Sequence, residues 1–178
     1  MSNDLYRQKK SHIDVIKFRG CIELALHNAE TNEVLEKRKI DNVVVTSGRS
    51  YVLSRLVSAS PQTDTINAIA VGTSTTAPAT GDTGLVSEAL RISISSFATS
   101  GLTANPPSWQ AQCTFATNQA NTTLGEAGLF NSTAAAVQTM LSHVTYATIN
   151  KTTSNTLAIS YTISNVLLLA LMLLKFMA

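Results

Sequence analysis

From Phe18 the chain alternates. Phe18, Gly20, Ile22, Leu24 and Leu26 fall on one side, and Arg19, Cys21, Glu23, Ala25 and His27 on the other. A period of two predicts a strand with one wet face. The polar run NAETNE (Asn28–Glu33) carries turn chemistry, and VLEKRKIDNVVVT returns after it, so 18–46 reads as a hairpin or meander. In TSGRSYVLSRLVSAS the residues Tyr51, Leu53, Leu56 and Val57 recur at helical spacing, and Ser47 is placed to cap the start. Beyond this helix, short apolar runs alternate with turns. INAIAVG (66–72), LVSEALRISISSF (85–97), WQAQCTFAT (109–117), the centre of NTTLGEAGLFNSTAA, VQTMLSHVTYATI (137–149) and TLAISYTIS (156–164) each predict one strand. In the last of these Leu157, Ile159, Tyr161 and Ile163 form an apolar face. This spacing predicts a mainly β fold: an antiparallel β-sandwich, jelly-roll-like or a small barrel, with one short helix.

The pattern breaks at NVLLLALMLLKFMA, where nine apolar residues run from Val166 to Leu174 before Lys175. Spanning a bilayer as a helix takes about 20 apolar residues, so the run is too short. Its alternatives are burial between subunits, an internal core segment, and membrane contact; burial in an assembly is the leading reading. The residues expected at that interface are Val166, Leu167, Leu168, Leu169, Leu171, Met172, Leu173, Leu174 and Phe176. Leu and Met favour helix here, although an assembly can override propensity. The organisation is then a polar arm at 1–12, a β-rich domain at 13–165 and an apolar segment at 166–178. The start MSNDLYRQKK has no apolar core and does not read as a secretory signal.

Charge sharpens this picture. The 178 residues have a net charge of +2, and residues 1–60 hold ten of the thirteen basic and seven of the eleven acidic side chains. The rest of the chain uses Thr, Ser, Ala and Asn where soluble surfaces carry Lys and Glu. Such composition suits β faces covered by other subunits. The balance does not call for a nucleic-acid partner; Arg7, Lys9 and Lys10 on the arm are too few. Cys21 and Cys113 fit no metal or redox spacing and read as buried free thiols. Three N-x-Ser/Thr triplets, at Asn121, Asn131 and Asn150, read as chance in a chain so rich in Asn and Thr.

The segment AIAVGTSTTAPATGDTGL (68–85) has the glycines and threonines of a phosphate loop. Yet Gly72 and Gly81 are nine apart, no lysine occurs between Lys39 and Lys151, and a strand rather than a helix follows. It reads as a connection bent at Gly81 and Gly84, with Asp82 bonding amides two residues on. Glu126, between Gly125 and Gly128, could be a catalytic acid; the favoured alternative is an acceptor for turn amides or a partner for Arg91. His12, His27 and His143 are scattered and form no zinc pair, and His143 reads as a strand histidine. No nucleophile elbow is present. No cofactor, metal or catalytic residue is expected.

Four segments together resemble structural proteins of tailed bacteriophages, of the tail-collar, tail-fibre-like or head-neck kind. They are TNEVLEKRKIDNVVVTSGR (31–49), IAVGTSTTAPATGDTGL, LGEAGLF and INKTTSNTLAISYTI, in the same order and covering roughly residues 31–163. Tyr161 stands where such proteins commonly have Trp, and Val166–Ala178 continues past their usual end. The resemblance implies a β-rich, oligomeric virion component without catalysis, at the neck, collar, tail or capsid surface. Its expected partners are copies of itself and other virion proteins, and it supplies no site residues. The competing expectation is a displayed β-sandwich that binds a host glycan, with Tyr51, Trp109 and Tyr146 as stacking platforms. A third is a peripheral membrane protein held by 166–178.

Overall fold

The computed structural model describes residues 13–57, 65–134 and 138–170, with the backbone alone at 13–16, 57 and 166–170. Nine antiparallel strands form one curled sheet in the order β4-β3-β7-β8-β2-β1-β9-β6-β5. In chain order they are β1 (Ile13–Asn28), β2 (Val34–Val44), β3 (Ala68–Gly72), β4 (Glu88–Ser93), β5 (Ser96–Ala98), β6 (Ser108–Phe115), β7 (Thr123–Phe130), β8 (Met140–Asn150) and β9 (Asn155–Ala170). Among the described residues one α-helix, α1 (Thr46–Val57), follows β2, and one 3-10 turn lies at Ser100–Thr103. The fold is mainly β and of the sandwich or small-barrel class.

Two corners produce the curl. On one side β2 pairs with β1 as far as Asn42, then shifts to β8 through Val43 and Val44. On the other, β4 and β5 are the outermost strands of the sheet, yet only Ile94 and Ser95 separate them in sequence. Ile94 donates its amide to Asn67 beside β3 at 2.8 Å, and Ser95 donates to Gln112 of β6 at 2.8 Å. Adjacent residues thus bond to opposite halves of the molecule. Strands that switch sheets at a bend are how packed sheets make corners. The run 85–97, expected as one strand, divides here for that reason.

Alternation decides which side chains fill the space between the halves. Ile22, Leu24 and Leu26 of β1 and Leu157, Ile159, Tyr161 and Ile163 of β9 are all buried. They meet Ile69 and Val71 of β3, Leu124 and Leu129 of β7, and Leu141, Val144 and Ile149 of β8 in one cluster. Burying each large aliphatic side chain contributes about 1.5–3 kcal/mol. The turn at NAETNE forms as expected: the Asn28 Oδ1 accepts the amides of Glu30 and Thr31 at 2.9 and 3.1 Å. Asn32 takes a left-handed φ of 58°.

The helix forms where expected but turns another face inward. Leu53 and Leu56 are 58% and 78% exposed, while Val52 packs on the core. Gly48 sets this orientation, because a Cβ there would lie 2.4 Å from the Leu141 carbonyl oxygen of β8. Ser47 is no cap; it lies within the helix and its hydroxyl donates to the Met140 carbonyl at 3.1 Å.

The apolar C-terminal run continues the sheet. Val166–Ala170 are strand, in register with Lys17 through Ile13 of β1. Packing against β1 overrides the helical propensity of leucine. β1 and β9 pair from Asn28↔Asn155 to Ile13↔Ala170. Their neighbours stop earlier, β2 at Gly20↔Asn42 and β6 at Ser108↔Ser164. The first seven residues of β1 and the last six of β9 thus extend past both neighbours as a two-stranded ribbon about 20 Å long. Leu171, Met172, Leu173, Leu174 and Phe176, and the polar arm with Arg7, Lys9 and Lys10, lie outside the described residues.

Candidate functional site

The best-built polar cluster lies on the outer side of β7 and β8. Every residue from Leu124 to Phe130 is buried, so β7 is covered on both faces. Its inner face meets the core; its outer face is roofed by residues 73–87, the threonine-rich connection. We call this segment the strap. The Thr73 amide donates to Ser87 at the strap's base (2.9 Å), and the Thr46 amide at the start of α1 donates to the Thr80 carbonyl (2.7 Å). Leu85 packs against Val45, Ala68, Ala70, Phe130 and Met140. Gly125 permits the close approach, since a Cβ there would stand 2.7 Å from the Ser74 carbonyl oxygen.

Three side chains fasten the strap. The Glu126 carboxylate is fully buried and accepts the amides of Val86 at 3.0 Å and Ser87 at 2.7 Å. His143 of β8, also fully buried, places Nε2 at 3.0 Å from the Glu126 Oε2 and Nδ1 at 2.7 Å from the Asp82 Oδ2. Asp82 also accepts the Ala79 amide at 2.8 Å, and Tyr146 donates its hydroxyl to the Glu126 carbonyl at 3.1 Å. Both ring nitrogens face carboxylate oxygens, so the imidazole satisfies both when it carries two protons. Burial works to raise the Asp82 carboxyl, but the bonds from His143 and from Ala79 outweigh it and hold the group below its ordinary value.

The sequence reading of Glu126 as an acceptor for loop amides matches this geometry. Arg91 is not its partner: that guanidinium pairs with Glu88 at 2.5 Å, donates to the Ser132 carbonyl at 3.0 Å and stacks on Phe130 at 3.8 Å. Asp82 bonds backward to Ala79 rather than two residues on, because the strap reverses at that point. His143 is a strand histidine, as expected, and is buried. That it joins Asp82 to Glu126 was not read, since 61 and 17 residues separate it from them. The one sequence signal was a lone histidine in a strand following a glycine-flanked glutamate.

Chemically, the cluster is a line of three side chains joined by hydrogen bonds between strap and sheet. The two carboxylates occupy both imidazole nitrogens, and no hydroxyl or thiol takes a place on the ring. Among the described residues no group of three or more His, Cys, Asp or Glu side chains is arranged for a metal.

Elsewhere, an open groove of about 290 Å³ crosses the outer face of β1, β9 and β6, lined by small polar residues including Gln112, Thr114, Ala158 and Ser160. At one side of it Glu23 pairs with Lys39 at 3.0 Å and Lys37 at 3.7 Å. The hydrogen bond from Lys39 holds the Glu23 carboxyl below its ordinary value. The three aromatic residues expected as sugar platforms are dispersed. Tyr146 is buried in the core, Trp109 is half-buried with its ring 6.2 Å from that of Phe97, and Tyr51 on α1 lies under the Arg55 guanidinium at 4.7 Å. Both cysteines are free; Cys113 is buried and Cys21 half-buried. Among the described residues no helix is long and apolar enough to cross a membrane.

No family model, curated protein or solved structure matches this chain.

Proposed function

We propose that the chain is a non-enzymatic structural subunit that acts by oligomeric assembly in the virion of a tailed bacteriophage. The partners in this reading are further copies of itself and neighbouring virion proteins, with no cofactor and no nucleic acid. The observation that carries it is the ribbon. An apolar stretch of β9, 166–170, pairs with β1 beyond the point where both neighbouring strands have ended. Isolated two-stranded ribbons are marginal in water, and apolar ones ask for a covering surface. A body that builds such an element has an assembly use for it.

Two further features support the reading. The residues that carry the phage resemblance, Asp82 in GDTGL and Glu126 in LGEAGLF, are spent on fastening the strap to the sheet. They work as internal fasteners, which is what a scaffold of this kind requires. The outer face of β9 and β6 is also paved with Ser, Thr, Ala and Gln at positions such as Ser160, Thr162, Thr114 and Ala158. Flat, charge-poor sheet faces suit packing against another subunit.

Light scattering on the full chain and on a version ending at Asn165 tests the proposal. A closed oligomer that becomes a monomer on truncation is the expected result. Two monodisperse monomers would remove self-assembly through this segment.

A further inference from the structure

We infer that the β1/β9 ribbon assembles by edge-to-edge strand addition, the free edge of β1 in one copy pairing with the free edge of β9 in a second copy of this chain. The inference rests on the assembly reading above and specifies its mechanism. From Ile13 to Arg19, β1 has β9 on one side and no strand on the other among the described residues; from Val166 to Ala170, β9 is in the mirror situation, the Asn165 amide before it being taken by the Pro107 carbonyl at 3.0 Å. Each edge presents a row of backbone donors and acceptors, the template that another strand completes.

The two edges fit one another. β1 and β9 run antiparallel. Placing the β9 edge of one copy beside the β1 edge of the next therefore continues the antiparallel alternation without reversing any strand. That contact is head-to-tail, so repeating it gives a ring where the rotation between copies closes and an open filament where it does not. Apolar positions predominate at the end of the ribbon, with Ile13 and Val15 in register with Ala170 and Leu168 and Ile16 with Leu167, while Asp14 and Lys17 of β1 stand opposite Leu169 and Val166. Lateral extension would stack such positions from copy to copy.

An independent observation marks both forks where the ribbon leaves the body. Asn42 stands in register with Gly20, where β2 departs from β1, and its amide nitrogen and oxygen are both buried with no partner. The Asn165 side-chain oxygen, where β6 departs from β9, is likewise buried and unpaired. Buried polar groups are nearly always bonded. Both side chains share the inner face with Gly20 and Ile163, so the forks mark where the packed body gives way to the ribbon. The second copy is favoured over the polar residues 1–12, whose sequence MSNDLYRQKKSH has few apolar groups to lay on the ribbon.

Hydrogen exchange read by mass spectrometry tests this on the full chain, at a concentration where light scattering shows an oligomer and at one where it shows a monomer. The expected result is that the edge-facing amides within 13–19 and 166–170, those not bonded between β1 and β9, exchange on the order of 100-fold more slowly in the oligomer, while those of Ile22–Leu26 and Leu157–Ile163 are protected in both. An oligomer whose ribbon amides exchange as in the monomer overturns edge pairing and leaves the assembly reading standing. A monomer at every concentration overturns both. A monomer with the ribbon edges already protected means that the chain's own residues 171–178 cover them, and the inference falls.

Discussion

The imidazole of His143 and the carboxylate of Glu126, both shut off from solvent, meet at 3.0 Å between the neighbouring strands β8 and β7. Asp82 completes the line from the strap side at 2.7 Å. The contact joins a loop to a sheet, so its loss should register first in stability.

Glu126→Ala removes the acceptor of two amides and one imidazole N–H. Stranding buried donors costs roughly 1–3 kcal/mol each, and partial hydration of the opened strap recovers some of it. We expect a loss of about 3 kcal/mol in urea unfolding. Glu126→Gln keeps the shape but turns an amide NH₂ toward one of the donors, and should lose somewhat less. A variant as stable as the parent would show that Leu85, the backbone bonds at Thr73 and Thr80 and the Asp82–His143 contact hold the strap without Glu126.

The Asp82 carboxyl titrates below its ordinary 3.8 in the folded protein, the bonds from His143 and Ala79 outweighing burial. Its stabilising contribution is therefore fully present above 3.8 and is lost as pH falls through the lower, folded value. Asp82→Asn should show a smaller drop in Tm than the parent between about pH 4 and pH 2. Parallel acid limbs for the two proteins would contradict this.

Gly48→Ala sets two effects against each other. Alanine in a helix interior gains about 1 kcal/mol over glycine. Here the added Cβ would meet the Leu141 carbonyl oxygen at 2.4 Å and the Leu141 Cα at 2.6 Å, both backbone atoms that cannot swing away. Overpacking costs roughly 1–3 kcal/mol, and contacts this short with backbone put the cost at the upper end, so the clash wins and the variant should be less stable by about 2 kcal/mol. A stabilised variant would mean that α1 can lift from β8 without loss.

Burial alone pushes the Cys113 thiol up to about 12. Since the thiolate is the reactive species, Cys113 should resist a thiol reagent at neutral pH until the protein unfolds. Cys21 is half-buried on the outer face of β1, where burial, ahead of neighbouring charges, also raises its thiol. Slow labelling of one thiol in the native state and fast labelling of two in denaturant is the expected pattern.

The elements were legible because alternation is a local signal: Ile22, Leu24 and Leu26 announce their own face. The strand interruption at Ile94–Ser95 was not, because it depends on which halves of the molecule those two amides reach. The inward face of α1 was misjudged for a similar reason. A glycine, not the apolar stripe, decides which side can approach β8. For the cluster, Glu126 was legible as an acceptor from its glycine neighbours, but His143 and Asp82 join it only through the fold. The leucine run misled as to conformation, since propensity speaks for helix while the strand already laid down by Ile13–Lys17 speaks for sheet.

The position of β9 between β1 and β6 has a consequence for biosynthesis. It leaves the ribosome after every other described strand, yet two strands wait for it. Synthesis proceeds at roughly 5–20 residues each second, so β1 stays without this neighbour for on the order of ten seconds. The sheet therefore closes only after its last strand emerges, and until then nascent chains crowded on one message offer one another the same vacant places.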